Sequence, residues 1–284
     1  MRAKWACIAA ALLSLEAAAQ DFLKDLDTPY VPTPQVVVDR MLDLAKLKAG
    51  ETVIDLGSGD GRIMIEAATR YGARGFGVEI DPRLVKLSND RAAKAGVADR
   101  VKFLQQDLFK TDFHDANVLT LYLLPDVNLA LRPKILAELR PGARVVSHDY
   151  GMGDWRPDVQ ETVPAPDKKV GARKESQVFM WTVPANVEGK WRLELSSAAK
   201  ARAAQMVLRQ KFQAVSGTLA LTGQSDVRLE DGKLSGDELR VVLPAGALDR
   251  DPVEMVGHAT GDALAGTLRK SGRDVAKWSA QRAP

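Results

Sequence analysis

The chain has 284 residues, of which 45% are hydrophobic and 27% are charged. This composition is that of an ordinary globular protein, and it excludes disordered, collagen-like and coiled-coil classes. A disulfide scaffold is excluded as well, because Cys7 is the single cysteine. The net charge of +3 is unevenly spread, since residues 20–164 are slightly acidic and residues 165–284 are basic with interleaved acids. This difference indicates two modules, and such dispersed basic residues argue against nucleic acid as a partner.

Residues 1–19 have the pattern of an export signal peptide. Arg2 and Lys4 make a basic start, residues 6–15 form a short apolar core, and residues 17–19 are the small alanines that a signal peptidase needs. No apolar run is long enough for a conventional membrane span, which needs about 18 residues or more. We therefore expect an exported, periplasmic protein. The alternative is a cytoplasmic protein with a misassigned start or an alanine-rich first helix.

From residue 34 onward, short apolar strands alternate with amphipathic helices. The first helix is predicted to start at Pro34, with Thr33 as its cap, and to end near Gly50. The predicted strands are 52–56, 75–79, 101–105, 117–123, 143–148 and 178–183, and helices are predicted after Gly61, at 82–95 and at 126–139. This alternation is typical of a doubly wound α/β sheet with parallel strands.

The pattern changes in the last third of the chain. Short strands separated by glycine-containing turns are predicted at 191–195, 217–221, 227–229, 239–243, 254–258 and 263–268. Residues 198–212 are interpreted as a helix that interrupts them, with a strand as the alternative. We therefore expect one α/β domain over residues 20–185 and a small, mainly β domain, a sandwich or a barrel, over residues 186–284.

A glycine-rich turn follows the first predicted strand. Its sequence from Asp55 to Arg62 is Asp-Leu-Gly-Ser-Gly-Asp-Gly-Arg. Glycines let the chain turn sharply and let a ligand approach the free N–H groups of the next helix. A nucleotide-phosphate loop would end in Lys followed by Ser or Thr, and a dinucleotide loop has its third glycine further along, so neither pattern fits. The remaining reading is G-x-G-x-G with an acidic residue two positions before it.

Further acidic residues lie at the ends of the neighbouring strands. Glu79 ends the second strand, where an acid can accept both hydroxyls of a ribose. Asp107 follows the third strand and can accept a hydrogen bond from an exocyclic amine. Asp55 and Asp60 favour a cationic group near the loop. A ligand with a ribose, an adenine and a positive amino-acid end satisfies all four, and S-adenosyl-L-methionine is such a ligand.

These spaced motifs resemble those of the class I, seven-strand S-adenosylmethionine-dependent methyltransferases over roughly residues 29–183. The resemblance implies a Rossmann-like seven-stranded sheet and S-adenosyl-L-methionine as cofactor. The residues that it implies for cofactor binding are Asp55, Gly57, Ser58, Gly59, Asp60, Gly61, Glu79 and Asp107.

Three segments resemble a narrower group, the small protein-lysine methyltransferases that act on the ATP synthase c subunit and the adenine nucleotide translocase. These segments are residues 29–33 (Pro-Tyr-Val-Pro-Thr), residues 55–63 and residues 155–158 (Trp-Arg-Pro-Asp). The resemblance implies methyl transfer to a lysine amine of a protein partner. Residues 186–284 have no counterpart in this group.

Methyl transfer depends mainly on positioning the acceptor in line with the methyl group. The candidates for this role lie at the ends of the fourth and fifth strands and on the leading loop, and aromatic faces among them can hold a cationic amine. They are Tyr30, Tyr122, Pro125, Asp149 and Tyr150, with Leu124 and Asp126 beside them. Each has a structural alternative, such as a core, turn or capping role. The three histidines are not spaced as metal ligands, so we expect no metal site.

Two other functions stay open. One is methyl transfer to a small molecule. The other is a non-catalytic binding or interaction protein, because an exported chain would be separated from a cofactor that is made in the cytoplasm. The sequence leaves the oligomeric state open.

Overall fold

The computed structural model describes residues 29–196, 201–221 and 226–284. The predicted signal peptide, residues 1–19, lies outside the described residues. Contacts divide the described chain into two compact units, residues 29–138 with 144–181, and residues 139–143 with 182–284. The predicted domains, residues 20–185 and residues 186–284, stay predictions.

The first unit is built on a seven-stranded sheet, which confirms the predicted α/β class. Its strand order is β3-β2-β1-β4-β5-β7-β6. The strands are β1 (Thr52–Leu56), β2 (Arg74–Glu79), β3 (Val101–Gln105), β4 (Val118–Leu121), β5 (Arg144–His148), β6 (Val159–Pro164) and β7 (Glu175–Thr182).

In the described ranges, four helices and one short 3₁₀ turn accompany these strands. They are α1 (Gln35–Leu44), α2 (Arg62–Tyr71), α3 (Pro82–Lys94), the 3₁₀ turn Leu108–Lys110 and α4 (Pro125–Glu138). The helices cover both sheet faces, as the almost continuous burial of β1 and β4 requires. The chain builds outward from β1 in one direction and from β4 in the other, so a crevice opens where the carboxyl ends of these strands meet.

Three details of this unit differ from the prediction. Thr33 does not cap α1, because Pro34 takes the capping position without a side-chain hydrogen bond, and the Thr33 hydroxyl instead lies 3.2 Å from Nδ1 of His148. The helix also ends at Leu44, before Lys46 adopts a left-handed φ of 48°, rather than near Gly50. Strand β6 escaped prediction because its outward positions are polar; it lies at the sheet edge, antiparallel to β7.

The second unit is a closed antiparallel barrel, which confirms the predicted β-rich region. Its strands are β8 (Gly189–Ser196), β9 (Ala201–Lys211), β10 (Ala214–Leu221), β11 (Val227–Ser235), β12 (Glu238–Leu243), β13 (Val253–Thr260), β14 (Ala263–Lys270) and β15 (Arg273–Arg282). The ring closes because β8 pairs with β9 on one side and with β15 on the other.

The helix predicted over residues 198–212 was wrong. Residues 201–211 form β9, in which Ala204, Met206 and Leu208 are buried and the residues between them are exposed. This two-residue period is that of a strand with one buried face. The alanine, arginine and glutamine content favours a helix locally, and pairing with β8 and β10 overrides that preference.

Apolar side chains fill the barrel interior. Trp191, Trp278 and Met206 are among its buried residues. The indole of Trp278 lies so close to Gly257 that a Cβ there would stand 2.3 Å from the ring. This close fit explains the glycine in the middle of β13. Among the described residues, no helix is long and apolar enough to cross a membrane.

Candidate active site

A cavity of about 690 Å³ opens at the carboxyl ends of β1, β2 and β4. Nine of the predicted site residues line it: Tyr30, Asp55, Gly57, Ser58, Gly59, Asp60, Glu79, Asp107 and Tyr122. Gly61, Pro125, Asp149 and Tyr150 do not line this cavity. The topological switch between β1 and β4 thus brings together most of the residues that the sequence pattern had linked.

The glycine turn shapes the cavity floor. Gly57 and Gly59 have φ values of 74° and 52°, a left-handed region that favours glycine. A Cβ at Gly57 would stand 2.8 Å from the Leu123 side chain, and one at Gly59 would stand 2.7 Å from the Tyr30 ring. A side chain at either position would therefore displace Leu123 or Tyr30, both of which line the cavity.

Gly61 has a packing role instead. It begins α2 with a φ of 81°, and a Cβ there would stand 2.6 Å from the Phe103 ring and 2.7 Å from the Ser88 side chain. Its value to the site is indirect, because it lets α2 start close beneath the turn.

Glu79 is rigidly held at the end of β2. One carboxylate oxygen accepts a hydrogen bond from Gly59 N at 3.0 Å, and the other accepts from Ile80 N at 2.8 Å and Asp81 N at 3.1 Å. The acid and the glycine turn therefore support each other at the cavity wall.

Asp55 is buried at the end of β1. The Thr120 hydroxyl donates a 2.6 Å hydrogen bond to its carboxylate. Burial raises the pKa of Asp55 to about 7; the Thr120 hydrogen bond opposes this shift, while the charges of Glu79 and Asp60 add to it. Within the described part of the chain, no cation pairs with Asp55, so its buried carboxylate gains from a positively charged ligand group.

Asp60 lines the cavity, and its carboxylate already has cationic partners from the chain. Arg62 donates to both of its oxygens, at 2.9 and 2.6 Å, and Arg91 contacts one of them as well. Burial alone would raise the pKa of Asp60, but the two guanidinium groups outweigh burial and lower it to about 2. Its charge is therefore already compensated, and it stabilises the loop.

Arg62 also ties the leading segment to the glycine turn. Its Nη1 donates a 2.7 Å hydrogen bond to the carbonyl of Thr33. Tyr30, from the same segment, lies against Gly59 and hydrogen-bonds to Asp60. The segment thus forms a wall of the cavity, and Arg62 holds it in place. The sequence pattern did not predict this role of Arg62.

Asp107 caps the 3₁₀ turn by accepting a 2.9 Å hydrogen bond from Phe109 N. Its second oxygen lies 3.9 Å from Lys110 Nζ. The side chain is partly exposed and lines the cavity, so its carboxylate is accessible to a ligand.

Aromatic rings extend from the cavity to the end of β5. The ring centroid of Tyr122 lies 3.8 Å from that of His148 and 6.4 Å from that of Tyr150. Burial raises the pKa of Tyr122 to about 12, with the charge of Asp149 adding to the effect. Burial lowers the pKa of His148 to about 4, opposed by Asp149, so this ring is neutral near pH 7. The sequence offered no signal for this contact of His148 with Tyr122 and Thr33.

Asp149 directly follows β5 and lies next to Tyr150. Its φ is 61°, and one carboxylate oxygen accepts a 3.0 Å hydrogen bond from Gln177 N. The other oxygen lies 2.7 Å from Lys168 Nζ, a partner absent from the sequence-based prediction. Pro125 is the first residue of α4, a position that suits proline.

The cavity fits an adenosyl cation. Among the described residues, Ser58 Oγ is buried without a hydrogen-bond partner and lies in the cavity wall. Glu79 and Asp107 present acceptors to the cavity, and Asp55 presents a buried carboxyl. Within the described ranges, no group of three or more His, Cys, Asp or Glu side chains could hold a metal ion.

Comparisons with known proteins agree with this geometry. The sequence model of the ANTKMT methyltransferase domain matches residues 55–159. A protein-lysine N-methyltransferase of Saccharolobus islandicus is 43% identical over 45% of this chain and 81% of its own length. A lysine N-methyltransferase of Xenopus laevis, named for the ATP synthase c subunit, is 34% identical over 55% of this chain and 72% of its own length.

The chain belongs to this methyltransferase family. A crystal structure from Salinibacter ruber, described as an RNA methyltransferase in complex with S-adenosyl-L-homocysteine, is 52% identical and has a TM-score of 0.50. It covers 55% of this chain and 96% of the other. The protein is therefore an S-adenosylmethionine-dependent methyltransferase, and S-adenosyl-L-methionine is its cofactor.

Proposed function

We propose that this methyltransferase transfers a methyl group to lysine amines of a protein. The observation that carries the proposal is at the carboxyl ends of β4 and β5, where the ring of Tyr122 packs against His148 and the Asp149 carboxylate lies 3.5 Å from Nε2 of His148. Aromatic faces and a carboxylate are the groups that hold an alkylammonium ion. The names of the relatives from Saccharolobus islandicus and Xenopus laevis support the same acceptor.

The bound cofactor supplies an electrophilic methyl group on a sulfonium centre. Ser58, Glu79 and Asp107 would hold its polar groups, and the glycine turn would let it approach the backbone. Asp55 would offset its positive charge in a site screened from water, where such an interaction is stronger than in solution. These residues contribute by fixing geometry, which is the main source of rate enhancement for a transfer of this kind.

The acceptor side has the complementary task of orienting an amine. Tyr122 is held by its contact with His148, which is itself held between Thr33 and Ser176. A Tyr122 ring that is held in this way can exclude water from the path between acceptor and donor. The amine must be neutral to react. The carboxylate of Asp149, at the end of β5, can bind the ammonium before its proton is lost.

RNA is the second candidate acceptor, because the structure from Salinibacter ruber is described as an RNA methyltransferase. A small-molecule acceptor is the third. The dispersed basic residues of this chain favour the protein acceptor over RNA.

The test is transfer of a labelled methyl group into a cell extract. Half of the extract is first treated with acetic anhydride to block lysine amines, and matched samples are treated with ribonuclease or protease. We expect label in untreated protein, recovered as methyl-lysine after acid hydrolysis, and no label after acetylation. Glu79→Ala is the inactive control. Label that is lost to ribonuclease, or that remains in small molecules after acetylation, would contradict a lysine acceptor.

A further inference from the structure

A partly buried ion pair lies beside the His148 ring, which packs against Tyr122, and its carboxylate is 3.5 Å from Nε2 of His148. Lys168 Nζ is 2.7 Å from Asp149 Oδ2, and the two side chains are only 12% and 13% exposed. The same ammonium donates a 2.8 Å hydrogen bond to the carbonyl of Glu175. A lysine amine is thus already bound beside the aromatic rings that the proposed acceptor needs.

The chain holds the two partners in different ways. Asp149 N donates to the carbonyl of Gln177 at 2.7 Å, and Gln177 N donates back to the Asp149 carboxylate at 3.0 Å. These bonds hold Asp149 in a left-handed conformation that is uncommon for a residue other than glycine. Lys168 lies in the connection between β6 and β7, where its N–H donates to the Ala165 carbonyl at 3.0 Å, and its ammonium reaches Asp149 through a long unbranched side chain.

Space for an incoming chain exists around the pair. Asp149 and Lys168 line a second cavity of about 240 Å³, together with Gly171 and Gln177. A Cβ added at Gly171 would meet no atom within 4 Å. The second cavity therefore has an open side at the connection that carries Lys168.

We propose that Asp149 is the binding point for the ammonium group of the acceptor lysine, and that Lys168 occupies this point as an internal competitor until the acceptor displaces it. The proposal rests on the lysine acceptor proposed above. Asp149 has the carboxylate, the fixed geometry and the neighbouring rings for an alkylammonium ion, and the chain itself shows that such an ion binds there.

An internal competitor lowers the apparent affinity for the acceptor. If Lys168 fills the point in about 80–90% of molecules, the apparent KM is raised about five- to tenfold over that of an open site. Removing the amine should therefore lower KM and leave kcat nearly unchanged. A purely structural ion pair would behave differently, because its loss would loosen Asp149 and raise KM or lower kcat.

The decisive variant is Lys168→Met, which removes the amine but keeps an unbranched apolar stem. Lys169→Met is the matched control, because it makes the same change at the adjacent exposed lysine. With extract protein as acceptor, its concentration expressed as total lysine, we expect the KM of K168M to fall about five- to tenfold and that of K169M to stay within about twofold of wild type. Lys168→Arg keeps a cation at the point, and its KM should not fall.

n-Butylammonium serves as a probe for the same binding point. It should inhibit K168M competitively with the acceptor, and its inhibition constant should be lower than for wild type by the same factor as the KM. Asp149→Asn in the K168M background should abolish this inhibition. An unchanged KM, or inhibition that is equal in wild type and K168M, overturns the inference while lysine methylation stands. Absence of label in lysine from the wild-type protein overturns the proposed function and this inference together. Circular dichroism identifies a variant that fails to fold, in which case Lys168→Gln replaces K168M.

Discussion

The buried carboxyl of Asp55 makes protein stability and cofactor binding respond to pH in opposite directions. Its pKa of about 7 in the folded protein lies about 3 units above its ordinary value of 3.8. At about 1.4 kcal/mol per unit, the charged form costs the folded state about 4 kcal/mol. Because the folded protein keeps the proton that the unfolded chain has lost, this contribution reduces the free energy of unfolding as pH rises from about 4 to 7, after which it levels off.

The perturbation that tests this reasoning is Asp55→Asn, which keeps the shape but removes the charge. Urea unfolding should show D55N gaining stability over wild type as pH rises, by up to about 4 kcal/mol at pH 8, with a much smaller difference at pH 4. Asp99→Asn, at a largely exposed carboxylate, is the control and should show no such trend. A difference between D55N and wild type that does not change with pH would refute the argument.

Cofactor binding should show the complementary effect. A cationic ligand group favours ionised Asp55, so binding at pH 6 should release a proton from the wild-type protein and not from D55N. Isothermal titration calorimetry in buffers of different ionisation enthalpy measures this proton directly. Equal proton release by both proteins would place the titrating group elsewhere.

Three further predictions concern the glycine turn, His148 and the N-terminal segment. Gly59→Ala should weaken cofactor affinity at least about tenfold in calorimetry, since its Cβ would meet a ring, whereas Gly50→Ala, also at positive φ but with open space around it, should have no such effect. His148→Gln should remove a loss of stability on acidification from about pH 6.5 to 4, measured by thermal unfolding, because protonating the buried ring opposes folding. Residues 1–19, proposed as an export signal, should make a fused reporter that works only in the periplasm active. Activity of a fused cytoplasm-only reporter, with no activity of the periplasmic one, would contradict this.

Local patterns explain which parts of the site were predictable. The glycine turn and Glu79 follow buried strands at short sequence distance, so parallel-sheet topology alone brings them together. The compensation of Asp60 by Arg91 was not predictable, since it depends on how α3 packs near the turn. The pairing of Asp149 with Lys168 likewise depends on the path of the connection between β6 and β7, which carries no recognisable motif.

The same distinction holds for the fold. Strands β1 and β4 are nearly uniform in apolar character and were evident, whereas β6 and β15 carry polar residues on their outward faces and were overlooked. In β9, alanines with high helix propensity concealed a two-residue burial period that only the neighbouring strands enforce.

Because β8 pairs with β15, the first and last strands of the barrel are neighbours. Trp191, near its entry, is paired with Arg282, near its exit. Loss of β8 or β15 would open the ring and bare two unpaired edges, each a template for self-association. The barrel therefore depends on its first and last strands together.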